Sequence, residues 1–197
     1  MILLYFITGY VALYSAIWLH EVGHGLMYAK YGCKNNPFNV HVPPYLFFST
    51  PNPIDEDKAK KTLSHQQLYH VGIAGIVVNL LFGIPIFLLL LSLEFPNTLA
   101  FFFLFSFSLF HLVEASTYLV ISNIFLSSDM VLVQQYNPRL RIPLFIIGLF
   151  VIGLIVFMMI NCPASWKFGF VLAVVIMTAC TVLGRIIFTK IHTAKAG

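Results

Sequence analysis

Apolar residues in this chain are gathered into five long runs, Ile2 to Ala29, Val71 to Leu93, Leu99 to Phe125, Ile142 to Ile160 and Phe168 to Phe188, and the polar residues collect between them. An α-helix needs about 20 consecutive apolar residues to cross the hydrocarbon core of a bilayer. The pattern therefore predicts an all-α polytopic membrane protein of about five transmembrane helices, forming a single membrane-embedded domain over 1–197. The first three runs (2–29, 71–93, 99–125) hold the polar chemistry and form the core; the last two (142–160, 168–188) carry no ionisable residue at their centres and read as accessory scaffold or lateral wall. The first run is not read as a secretory signal peptide, because it lacks a basic n-region and has His20, Glu21 and His24 where an uninterrupted apolar segment belongs.

The longest polar connection, about 40 residues after the first run, exceeds ordinary loop lengths. Phe38-Asn39-Val40-His41-Val42 alternates apolar and polar, Pro43-Pro44 marks a turn, and Tyr45 to Phe48 can return, so a short cytoplasmic or re-entrant β-hairpin is expected. After Thr50-Pro51-Asn52-Pro53, the stretch Ile54 to Tyr69 carries acids at its start and Lys58, Lys60 and Lys61 after them, which predicts an interfacial helix leading into the second span.

Composition agrees with the membrane reading: 59% of residues are hydrophobic and only 9% charged, against about 25% charged in a soluble domain. Lys and Arg are retained on the cytoplasmic side of membranes. With five crossings, the N-terminus outside and the C-terminus inside, every basic residue except Lys167 falls on the cytoplasmic side. The net charge of +4 is then explained by topology and by anionic lipid headgroups, and nucleic acid is not expected as a partner. Cys33, Cys162 and Cys180 are scattered without a C-x-x-C pair, which excludes a thiolate metal site or a disulfide framework.

The chemistry-bearing motif is His20-Glu21-Val22-Gly23-His24 in the first run. H-E-x-x-H on a helix puts two imidazoles one turn apart on one face, where both reach a single zinc ion, with the glutamate beside them to take a proton from the attacking water. Ionisable groups inside a membrane are costly and are functional by default. Ten residues separate His20 from Lys30, so the motif lies on the order of 15 Å inside the cytoplasmic end of its helix.

A catalytic zinc takes three protein ligands and keeps an open position. Asp129 is the first choice for the third, because Ser122 to Asp129 can unwind or bend back into the membrane where it lines a polar cavity. Glu114 is the rival: it lies one turn from His111 and could ligate, orient a ligating imidazole, or pair with His111. His41, His65, His70 and His192 lie in loops or tails, where solvated roles suffice. Gly72, Gly75 and Gly83 in the second run allow close backbone approach, and Asn79 beside them needs a hydrogen-bond partner, since unsatisfied amides in hydrocarbon cost several kcal/mol.

These segments resemble the site-2 protease family of intramembrane zinc metalloproteases. His20-Glu21-Val22-Gly23-His24-Gly25 is similar to its H-E-x-G-H-[AG] signature, Ala74 to Asn79 to its A-G-P-x-x-N segment, and Asn123 with Asp129 to the N-x-x-P…D-G segment that supplies the third ligand. Ile76, Leu126 and Met130 stand where the family has Pro, Pro and Gly, and the Asn-to-Asp spacing is shorter. The resemblance covers about two thirds of the chain, without a PDZ or nucleotide-sensing domain, as in a minimal member. It implies one Zn²⁺ per chain held by His20, His24 and Asp129, with Glu21 as general base and Asn79 and Asn123 holding substrate backbone or the oxyanion. It also implies hydrolysis within or next to a transmembrane segment of a membrane-protein or signal-peptide substrate, in the plasma membrane of a prokaryote with the site toward the cytoplasm. An inactive relative that binds transmembrane partners without cutting them is the competing reading. A transporter is disfavoured by the absence of repeat symmetry.

Overall fold

The structure is a computed structural model that describes residues 2–46, 48–92 and 98–195, the side chains of 186 and 188–195 excepted. Within those residues the chain is all-helical. Helix α1 spans Ile2–Lys30, α2 Glu56–Thr62, α3 His65–Ser92, α4 Thr98–Ser116, α5 Asp129–Tyr136, α6 Arg141–Asn161 and α7 Ala164–Lys195. Five of these stretches are long and apolar enough to cross a membrane, α4 being continued to Phe125, which is compatible with a multi-pass membrane protein. A helix satisfies its backbone groups internally, the condition hydrocarbon imposes on any segment that spans it. The expected second run ended at Leu93, which lies outside the described residues.

Helices α1, α3 and α4 pack against one another and form the core. The central member is α4, in which every residue from Phe105 through Leu119 is buried. Its far side is covered by α6, whose Val151, Ile155 and Met158 are buried. The last helix, α7, touches the bundle along a narrow stripe, where Phe170 and Met177 are buried and Trp166 meets Tyr5 and Phe102 at ring separations of 5.9 and 5.0 Å. Many other apolar side chains point outward, Phe6, Ile146, Phe150 and Phe168 among them, as a lipid solvent allows.

Two departures from helical regularity position the site. After Ser116 the chain widens into a π-helix, Thr117–Ser122, and resumes α-helical turns only over Asn123–Phe125; π-turns of this kind concentrate at functional sites. Leu126 (φ 51°) and Ser128 (φ 53°) are then left-handed, so the chain reverses and α5 starts at Asp129. Gly72 of α3 makes room for this reversal: a Cβ there would sit 2.9 Å from the carbonyl oxygen of Asp129.

The hairpin expected over Phe38 to Phe48 is not formed as strands among the described residues, and Phe47 lies outside them. One isolated antiparallel bridge, His41 to Thr50, closes the loop with two 3.0 Å hydrogen bonds. Pro43, Pro44 and Pro51 supply no N–H to extend the ladder, and Leu46 and Phe48 have positive φ. The loop instead folds back along α1. Tyr10 donates from Oη to the carbonyl of Pro44 at 2.7 Å, and the Trp18 and Phe38 rings stack at 6.4 Å, so the loop passes the level of His20 and His24. Lys34 anchors its base, donating from Nζ to the carbonyls of Asn39, Pro51 and Pro53 at 2.6, 2.6 and 2.9 Å. Burial lowers the pKa of this ammonium.

The interfacial helix expected over Ile54 to Tyr69 is split. Asp55 caps α2 by accepting from the Lys58 amide at 2.9 Å. Ser64 starts α3 with a reciprocal box, its amide donating to Gln67 Oε1 at 2.8 Å and its hydroxyl accepting from the Gln67 amide at 3.3 Å. A cap of that kind makes a fresh N-terminus, which breaks the run.

Candidate metal centre

His20 and His24 lie on the buried face of α1, 1% and 4% exposed. Their Nε2 atoms are 3.0 Å apart, and the reversal after α4 brings Asp129 Oδ2 to 3.4 Å from the first and 3.1 Å from the second. This His20, His24 and Asp129 group can hold a metal ion. Tetrahedral coordination at zinc, with bonds of about 2.0–2.1 Å, separates neighbouring ligand atoms by about 3.3–3.4 Å, and the three observed separations lie close to that value. Asp129 Oδ2 is buried with no hydrogen-bond partner and lies within 3.4 Å of both imidazoles, as a ligand oxygen does.

The surroundings fix the imidazoles. His24 Nδ1 donates to the Val71 carbonyl at 2.7 Å, so a neutral His24 keeps its lone pair on Nε2. The His20 ring stacks on Tyr118 at 4.8 Å with 10° between planes. On the α3 side both rings lie directly on Gly75, where a Cβ would be 2.5 Å from His20 Cε1 and 2.6 Å from His24 Nε2. The glycine makes the cradle in which the rings sit.

Glu21, also buried, opens onto a cavity of about 140 Å³. Leu46 and Thr50 of the folded-back loop, Ser128 before α5, Glu114 and Tyr118, and Arg185 of α7 share its lining. Glu114 does not join the His20 group. Its Oε1 accepts from Arg185 Nη2 at 2.5 Å, while Arg185 Nη1 donates to Thr117 Oγ1 at 2.8 Å and the guanidinium lies 3.5 Å from the centre of the Tyr118 ring.

The two asparagines are placed apart from the cavity and are engaged within the protein. Asn79, fully buried, donates from Nδ2 to His20 Nδ1 at 3.0 Å and accepts at Oδ1 from His111 Nδ1 at 2.8 Å. Asn123 donates to the Arg141 carbonyl at 2.8 Å and accepts at Oδ1 from Gln134 Nε2, which ties the end of α4 to α5 and α6. His70 bonds Tyr31 Oη at 2.7 Å, away from the site; the His192 side chain is outside the described residues.

Sequence reasoning missed Arg185 and Tyr118. It counted Arg185 as a charge at the cytoplasmic end of the last span, although an arginine after Gly184 in an apolar stretch is a usable signal for a buried pair. Tyr118 had no signal, since a tyrosine in an apolar run reads as packing.

No protein-family model, no curated protein and no solved structure matches the chain. Fold and site together define a helical bundle of five apolar spans with a group able to hold a metal ion between α1 and the reversal after α4.

Proposed function

We propose that the protein is an intramembrane zinc metalloprotease of the site-2 type, hydrolysing peptide bonds within or beside a transmembrane segment of membrane-protein or signal-peptide substrates. The observation that carries the reading is the convergence of His20 Nε2, His24 Nε2 and Asp129 Oδ2 beside a buried Glu21, inside an otherwise apolar bundle. Two imidazoles and a carboxylate suit zinc. A zinc ion held there supplies Lewis-acid polarisation of a carbonyl and a water acidic enough to lose its proton near neutral pH.

The chain's own residues do the rest. Glu21 receives a proton from the attacking water at a carboxylate oxygen and delivers it to the departing amide nitrogen, so that one C–N bond breaks and one C–O bond forms for each water consumed. A helical substrate hides its peptide bonds, so the segment presented to the cavity in front of Glu21 is an extended one; the folded-back loop forms one wall of that cavity and α7 another. The distribution of basic residues supports a cytoplasmic placement of the site, as in the plasma membrane of a prokaryote.

The test is zinc analysis of purified protein together with cleavage of a membrane-embedded reporter. Glu21→Gln is expected to keep zinc and lose cleavage, since the amide neither accepts nor delivers the proton. Asp129→Ala is expected to lose zinc far more than Glu114→Ala does. A Glu21→Gln variant that cleaves at the wild-type rate removes Glu21 from the reaction. Wild type that holds zinc and captures transmembrane partners but cuts none establishes the inactive relative instead.

A further inference from the structure

The His20 side chain belongs to a buried polar line that the proposed reaction does not use, running from His20 through Asn79 to His111 with hydrogen bonds of 3.0 and 2.8 Å. All three residues are 1% exposed or less, and both hydrogen bonds of the line are made inside the protein. As the line stands, Asn79 Nδ2 faces His20 Nδ1, which acts as acceptor, and a neutral His20 then carries its proton on Nε2. That is the nitrogen a metal would need.

A carboxamide turned end for end fills the same space with oxygen and nitrogen exchanged. With Oδ1 toward His20, Nδ1–H of His20 donates and Nε2 is free to ligate. Asn79 Nδ2 then faces His111, whose Nδ1 becomes the acceptor and whose proton moves to Nε2. His111 can follow because nothing holds its other end: Nε2 is buried with no hydrogen-bond partner, between the rings of Phe82 at 5.5 Å and Phe107 at 4.4 Å. A fixed donor or acceptor there would lock the whole line in one sense. His24 needs no such device, because the Val71 carbonyl already holds its Nδ1 proton.

We infer that Asn79 is a positioning residue for the metal site rather than a substrate contact. Its carboxamide turns when metal binds, sets the ligating tautomer of His20 and passes the change to His111 as a shift of that ring's proton from Nδ1 to Nε2. This rests on the metal-site reading above and adds to it a role for two buried side chains on α3 and α4.

The test uses full-length detergent-purified protein and Zn²⁺ alone, with affinity read by competition against a chromophoric chelator and helix content checked by circular dichroism. Asn79→Leu leaves Nδ1 of His20 without an acceptor and is expected to bind zinc about 10–100-fold more weakly. Asn79→Asp offers an acceptor oxygen to each ring and is expected to bind zinc at least as tightly as wild type. With ¹⁵N-labelled histidine, the His111 resonances of wild type are expected to change from the Nδ1–H to the Nε2–H pattern on adding zinc, whereas in Asn79→Asp they stay Nδ1–H. A folded Asn79→Leu variant that binds zinc as wild type does, an Asn79→Asp variant weakened as much as the leucine one, or a wild-type His111 tautomer indifferent to zinc each overturns the relay. Wild type that binds no zinc overturns the reading of the site and the relay with it, which separates the two failures.

Discussion

At the scale of single residues, the site depends as much on an absent side chain as on those present. His20 and His24 rest on the bare backbone of Gly75, and a Cβ there would lie 2.5–2.7 Å from three of their ring atoms, nearer than real contacts allow. Gly75→Ala is therefore expected to push both imidazoles off their positions and weaken zinc binding at least on the order of tenfold, the lower end of what lost support for a ligand costs, with the helices intact. Gly153→Ala is the control, since a Cβ there meets nothing within 4 Å and zinc binding is expected to be unchanged. Equal zinc affinity in the two variants would remove the cradle from the account. The pairing of His20 with His24 was legible in the sequence because i and i+4 on a helix is a local relation. Asp129 was legible only as a candidate, since its approach depends on two left-handed residues, Leu126 and Ser128, that no propensity marks. Gly75 was legible as a close approach, but not what approached it.

At the scale of elements, the last helix is more than a wall. Arg185 and Glu114 are paired with side chains 10% and 6% exposed, and together with the Arg185 bond to Thr117 the pair ties α7 to the core. Removing one member of a buried pair strands the other charge, which costs about 3–5 kcal/mol, whereas replacing both by apolar groups is often neutral or better. Arg185→Met is thus expected to lower the thermal unfolding midpoint of the purified protein markedly, and Arg185→Met with Glu114→Leu to recover most of the loss. If the double variant is as unstable as the sum of the single ones, the two side chains do not act as a pair. The sequence marked the five helices because long apolar runs leave no other choice in lipid. It misjudged the loop after α1, where alternation suggested strands; the prolines and the three carbonyls gathered by Lys34 instead draw the chain into an irregular fold closed by one bridge.

At the scale of the whole molecule, the order of the helices and the charges between them bear on which side of the membrane the site faces. Tyr31 meets His70, Asn123 meets the Arg141 carbonyl and Arg185 meets Thr117, so the Lys30 end of α1, the start of α3, the end of α4, the start of α6 and the later part of α7 share one face of the bundle. Apart from Lys167, and from Arg185 and Lys190 inside the last part of α7, every Lys and Arg lies at or beyond those ends. Each lysine or arginine kept out of translocation biases the insertion of its neighbouring span, and here three separate segments agree. His24 lies six residues from Lys30, so the metal group is about 9 Å from that face and far from the opposite one. Reporter domains fused after Lys61, Arg141 and Lys195 are therefore expected to read cytoplasmic, and those placed between α3 and α4 or at Ala164 to read external. Lys58, Lys60 and Lys61 are the strongest single cluster, and exchanging all three for glutamine is expected to weaken the bias without reversing it while Arg139 and Arg141 remain. An external reading after Lys61 in the unaltered protein would invert the bundle and put Glu21 and its cavity on the far side of the membrane, where a cytoplasmic release of product would no longer be possible.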